Sequence, residues 1–137
     1  SLRTLESLYW MGVKAFLNPN ATIEELEVKQ WDAYELNAAS ISTEQALQAL
    51  IGWMNDREQE QLVCHTQLLI APGYTLKIAD GIITNFHQPN STLLLLVAAF
   101  IGNNWRRVYD YALANEFRFL SYGDGSLLWC EKNADTQ

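Results

Sequence analysis

Leu5, Leu8, Tyr9, Gly12 and Phe16 recur at three- and four-residue intervals, so Thr4 to Leu17 reads as an amphipathic helix. Asn18-Pro19-Asn20 stops it. From Glu25 to Leu36, alternation at Leu26 and Val28 gives way to Trp31 and Tyr34, which predicts a strand with an irregularity near Gln30. Ser42 with Gln45 three residues on is a capping-box pattern. It opens a second helix whose apolar face is Ala46, Leu47, Leu50, Ile51 and Met54. Asn55 to Glu60 is a charged linker. Gln61 to Ile70 reads as a strand, Pro72-Gly73 as a turn, and Tyr74 to Ala79 as another strand.

The pattern changes character at Ile82-Ile83-Thr84-Asn85-Phe86-His87-Gln88-Pro89-Asn90-Ser91-Thr92, which runs into Leu93 to Ile101 and Gly102. A β-branched pair, a polar cluster, a proline, two hydroxyls and an apolar run predict a strand, a sharp turn and a buried helix. That apolar run is nine residues long, against about 20 needed to span a bilayer, so it reads as a core helix. Gly102 suits the helix end, and Asn103 or Asn104 can cap the next helix. Trp105, Val108, Tyr109, Ala112 and Leu113 supply the inner face of that helix. Phe117 to Leu120 reads as a short strand, Ser121 to Ser126 as a polar, glycine-rich loop, Leu127 to Trp129 as a last strand, and Glu131 to Gln137 as a frayed tail. Helices and strands interleave, which predicts an α/β fold with a layered sheet and helices packed on it, as one domain over 1–137.

Composition narrows the function. A net charge of −7 supplies no global field for nucleic acid or anionic lipid, so any phosphate contact needs a local patch. Arg106 and Arg107 form the only adjacent basic pair, read first as a solvated helix face. Cys64 and Cys130 lie far apart in no metal-like spacing and read as reduced thiols of a cytoplasmic protein. No secretory signal or membrane span is visible. The helical pattern starts almost at the first residue, which suggests a domain cut from something longer.

The chemistry gathers at the central turn. His87 is a candidate acid or base near neutral pH, against the plainer reading of a turn hydrogen bond. Asn85 needs partners if buried. Ser91 or Thr92 can cap the apolar helix, which alone is worth about 1 kcal/mol. In the loop, Gly123 lets backbone approach closely and Asp124 can take a proton or hydrogen bond, while Arg118 alternates with Phe117 and Phe119. Residue types and spacing stop at a ligand site over Asn85–Thr92 and Ser121–Asp124, with no reaction specified.

Four ordered motifs go further. Thr84-Asn85-Phe86-His87-x-Pro-x-Ser91-Thr92-Leu93, Arg118-Phe119-Leu120-Ser121-Tyr122-Gly123-Asp124, Pro72-Gly73-Tyr74 and Ser1-Leu2-Arg3-Thr4-Leu5-Glu6-Ser7 run across nearly the whole chain. Together they resemble the S-adenosylmethionine:tRNA ribosyltransferase-isomerase family of queuosine synthesis. The resemblance covers only the family's C-terminal portion, without its inserted β-barrel domain. Gln88 and Gly125 depart from the family's usual Leu and Ala.

The resemblance implies a metal-free reaction with S-adenosylmethionine as co-substrate and a tRNA bearing an aminomethyl-deazaguanine wobble base as partner. The ribosyl group is transferred and isomerised to give epoxyqueuosine, with release of adenine and methionine. It implies His87 and Asp124 as catalytic residues. Asn85, Pro89, Ser91, Thr92, Tyr122 and Gly123 are expected on the co-substrate, and Arg118, Ser121, Arg3, Thr4 and Glu6 on the substrate. The N-terminal part of the same enzyme, or a second copy, is a possible protein partner. The competing reading is a catalytically incomplete fragment that only binds a nucleoside or a partner. An unrelated nucleotide-binding α/β domain is weakened because the sequence has no G-x-G-x-x-G loop.

Overall fold

A computed structural model describes residues 1–36, 40–88 and 90–130; Pro89 and the tail from Glu131 lie outside them. The chain forms two compact units, Ser1–Leu69 and Ile70–Gln137. Among the described residues are six helices and one small antiparallel sheet, so the fold is α/β as the interleaved pattern predicts.

The first unit is built on α1 (Leu2–Leu17) packed against α4 (Thr43–Asp56). Gly12 sets how close they come: a Cβ there would lie 2.1 Å from the Ala46 carbonyl oxygen. Around this crossing Tyr9, Trp10, Val13, Ala46, Leu50 and Trp53 are buried, each large apolar side chain contributing about 1.5–3 kcal/mol. The two polar atoms carried inward find acceptors, Tyr9 Oη donating to Ile41 O at 2.8 Å and Trp53 Nε1 to Ala21 O at 2.8 Å. The capping box on α4 forms in full, with Ser42 and Gln45 exchanging side-chain and backbone hydrogen bonds.

The strand expected over Glu25 to Leu36 is not formed. Thr22 accepts from Glu25 N–H and starts the one-turn helix α2 (Ile23–Leu26), and Asp32 opens a second turn, α3 (Asp32–Glu35). Lys14 fixes the bend between them, donating to Glu27 O and to Asp32 Oδ2, both at 2.6 Å. Gln61 to Ile70 is extended, but its pairing is a single parallel bridge from Thr66 to Val28, so the second expected strand is also absent. Cys64 is a free thiol against Met11 Sδ at 3.7 Å, and burial followed by the Glu27 charge raises its pKa.

In the second unit, β1 (Gly81–Asn85) pairs antiparallel with β2 (Gly125–Trp129), Ile83 opposite Leu127 and Asn85 opposite Gly125. Helix α5 (Thr92–Ile101) contacts β2 and α6 (Asn104–Ala114). Tyr74 to Ala79 forms no ladder and bends at Lys77–Ile78 where a strand is predicted, and Phe117 to Leu120 also forms none, Leu120 standing in the left-handed region at φ 69°. The last strand begins at Gly125, earlier than the apolar residues alone suggest. Helix α5 buries Leu96, Val97, Phe100 and Ile101, but Leu93 and Leu95 are exposed, so only its C-terminal half is core. Gly102 closes it with φ 57°. Asn103 stands at the start of α6 with its side chain making no cap bond. No helix among the described residues is long and apolar enough to cross a membrane.

Candidate active site on the β1–α5 turn

Strand β1 ends at Asn85, and its side chain ties the two central motifs together. Asn85 Nδ2 donates to Gly123 O at 3.2 Å, with Asp124 O at 3.5 Å. The amide thus has the partners its half-buried position demands. The next residue, Phe86, is buried among Tyr109, Phe117 and Phe119, with ring centroids 5.3 to 5.6 Å apart. Leu120 N–H donates to Phe86 O at 2.9 Å, drawing the chain from α6 to β2 against the turn.

His87 is held at two points. Its backbone N–H donates to Tyr109 Oη at 3.0 Å, and its ring Nε2 meets Thr84 Oγ1 at 2.9 Å, with donor and acceptor set by the tautomer. Burial lowers its pKa from the ordinary 6.5, because desolvation penalises the imidazolium. At neutral pH it is an uncharged imidazole able to accept a proton. Asn90 turns the backbone into the left-handed region with φ 65°, which asparagine tolerates. Ser91 Oγ then accepts Leu94 N–H at 3.3 Å as the cap of α5. Thr92 is the exposed first residue of that helix.

The facing loop is set by its own backbone. Asp124 N–H donates to Arg118 O at 2.8 Å, and Asp124 Oδ2 accepts Arg118 N–H at 2.7 Å. Gly123 sits inside this ring, where a Cβ would lie 2.3 Å from Arg118 O. The Arg118 guanidinium reaches Asp124 Oδ1 at 3.8 Å from a largely exposed position, a weak solvent-screened pair. Ser121 is exposed and Tyr122 is 97% exposed, so their side chains point to solvent while their backbone shapes the loop.

The structure brings Asn85 onto Gly123 and Asp124, which are tied to Arg118, while His87 and Ser91 follow Asn85 on the adjoining turn and are bonded to Thr84, Tyr109 and the start of α5. Arg3, Thr4 and Glu6 lie on α1 of the first unit. Thr4 is exposed there and Glu6 fully buried, and one Arg3 guanidinium nitrogen is buried without a hydrogen-bond partner among the described residues. Thr84 and Tyr109 are additions the sequence reading missed. Thr84 opens the motif that contains His87 but carries no role in it, and the spacing of Tyr109 marks it only as core. The assembled groups comprise a neutral imidazole, a partly exposed carboxylate and a buried-edge amide, a set suited to proton transfer and to orienting a polar substrate.

The model of the queuosine biosynthesis protein family matches residues 16–128. The S-adenosylmethionine:tRNA ribosyltransferase-isomerase of Polynucleobacter asymbioticus is 35% identical over 123 residues, 89% of this chain and 34% of that protein. The protein of that name from Dichelobacter nodosus is 53% identical over 64 residues, 46% of this chain and 18% of its own length. The solved S-adenosylmethionine tRNA ribosyltransferase of Thermotoga maritima is 46% identical, covering 45% of this chain and 22% of that one, with a TM-score of 0.44. The chain thus spans about a third or less of the length of these relatives. Matched by the family model from the end of α1 to β2, the chain belongs to the queuosine biosynthesis protein family.

Proposed function

We propose that this chain carries the catalytic groups of a tRNA-modifying enzyme of the cytoplasm. The enzyme transfers the ribosyl group of S-adenosylmethionine to the aminomethyl-deazaguanine base of a tRNA anticodon and isomerises it. The observation that supports this reading is the Asn85 bridge, which holds the His87 turn against the Arg118–Asp124 loop. In the proposed reaction the aminomethyl nitrogen attacks the ribose carbon beside the sulfonium, and the ribose rearranges to an epoxide-bearing ring as adenine and methionine leave. A base must take the acidic proton next to the sulfonium, and an acid must protonate departing adenine.

The uncharged His87 imidazole takes the first role and returns the proton in the second. Asp124, with one oxygen committed to Arg118 N–H, uses the other to orient the attacking amine. Asn85, Ser91, Thr92 and the Tyr122–Gly123 backbone line the co-substrate side. Arg118 and Ser121 serve the RNA substrate.

The test is adenine release from S-adenosylmethionine, with and without a tRNA carrying the aminomethyl-deazaguanine base. Release that depends on the tRNA supports the reading. A second reading, a wall that binds without turning over, is favoured by the limited share of the relatives' length that the chain spans. A folded sample that binds S-adenosylmethionine but releases no adenine decides for it.

A further inference from the structure

The second unit carries a cleft of about 620 Å³ lined by Phe86, Asn104, Arg107, Val108, Tyr111, Phe117, Gly125 and Ser126. Two of its linings are sequence neighbours of the candidate catalytic residues, Phe86 of His87 and Gly125 of Asp124. Its outer wall is aromatic: Tyr111 is 63% exposed, and its ring stands edge-on to Phe117 at 5.9 Å. Phe117 rests on buried Phe86 at 5.6 Å, so the platform has a rigid base. Arg107 is exposed and makes no ion pair among the described residues, while its neighbour Arg106 lies over Trp105 at 5.4 Å. Asp110 is the only acidic residue of α6.

We infer that this cleft holds one unpaired nucleotide of the RNA substrate, its base stacked on Tyr111 and its phosphate against Arg107. The inference rests on the proposed tRNA reaction and deepens it by naming where RNA beside the reacting base is gripped. Solvent-facing aromatic rings beside an unpaired guanidinium are the elements of a single-strand platform, since every base has a π-face and every nucleotide a phosphate. Charge decides the occupant. S-adenosylmethionine offers a guanidinium one carboxylate, beside its own ammonium and sulfonium, whereas RNA brings a phosphate at every nucleotide and, on a chain of net charge −7, needs a local cation pair such as Arg107 with exposed Arg106.

The test is fluorescence anisotropy of a labelled RNA anticodon stem-loop with the whole chain, over a series of salt concentrations. Arg107→Gln is expected to weaken binding and to lower the slope of log K against log salt by about 0.7, the value for one single-strand phosphate contact. Tyr111→Leu is expected to weaken it roughly five-fold or more while Tyr111→Phe binds as the parent does. Lys29→Gln, in the first unit, is expected to change nothing. RNA binding indifferent to both cleft variants overturns the inference and leaves the proposed reaction to the adenine assay. Loss of S-adenosylmethionine affinity in Arg107→Gln with RNA affinity intact overturns it in favour of the co-substrate. A parent chain that binds no stem-loop at all overturns it as well, and tRNA-dependent adenine release then shows whether the reaction survives without it.

Discussion

The two units solve the problem of stability differently. In the first, two long helices meet at a glycine and enclose Tyr9, Trp10, Val13, Leu50 and Trp53, with Tyr9 Oη and Trp53 Nε1 bonded to backbone carbonyls. In the second, the sheet has two strands, and one of its faces presents Ile83, Leu127 and Trp129 at 79%, 57% and 65% exposure. Two strands alone are marginal in water. The aromatic cluster around Phe86 and the bonds of Asn85, Asp124 and Tyr109 hold this unit at the site itself. Packing sets the first unit; the second has a core of its own in Leu96, Val97, Phe100 and Ile101, but there the groups that hold β1 against the loop are also those offered to a ligand.

The sharpest way to break that contrast is Gly12→Val. Its side chain must displace the α4 backbone rather than a flexible neighbour, so unfolding free energy in urea is expected to fall by about 3 kcal/mol, with the first unit losing most. Tyr9→Phe is next. It leaves the buried Ile41 carbonyl without its donor, and a loss of about 1–2 kcal/mol is expected in the same titration. Ser91→Ala removes the cap of α5 and is expected to cost about 1 kcal/mol. Hydrogen exchange is the finer readout for it, with protection lost in the first turn of α5 and retained in α1 and α4.

The smallest effect is the pH dependence from His87. Its folded pKa lies below the ordinary 6.5, so as pH falls the unfolded chain takes up the proton first. The stability this site contributes is whole above pH 6.5 and is lost as pH falls from there through the folded value. Comparing urea midpoints of the parent and His87→Gln between pH 7.5 and 5 should show a shallower decline in the variant.

The same contrast explains what the sequence made legible. Helices α1, α4, α5 and α6 were readable because their signals are local: three-four spacing, the Ser42–Gln45 box, the Ser91 cap and Gly102. The segment from Glu25 to Leu36 was misread because Lys14, from another helix, sets its bend, and no local periodicity encodes that. Gln61 to Ile70 and Tyr74 to Ala79 have strand-like alternation, but a ladder also needs a neighbouring strand in register. At the site, the motifs name His87 and Asp124, but spacing does not give the Asn85 bond that joins the two motifs. The hydroxyl of Tyr109 on the His87 N–H belongs to a residue whose spacing marked it only as core.

The measurement that tests the central claim most directly is the pH–rate profile of tRNA-dependent adenine release, parent against His87→Gln. The account predicts that the parent loses activity as His87 protonates below pH 6.5 and that the variant is slower, with that limb of the profile gone. A variant with the parent's rate and the parent's acid limb would contradict it and remove His87 from proton transfer.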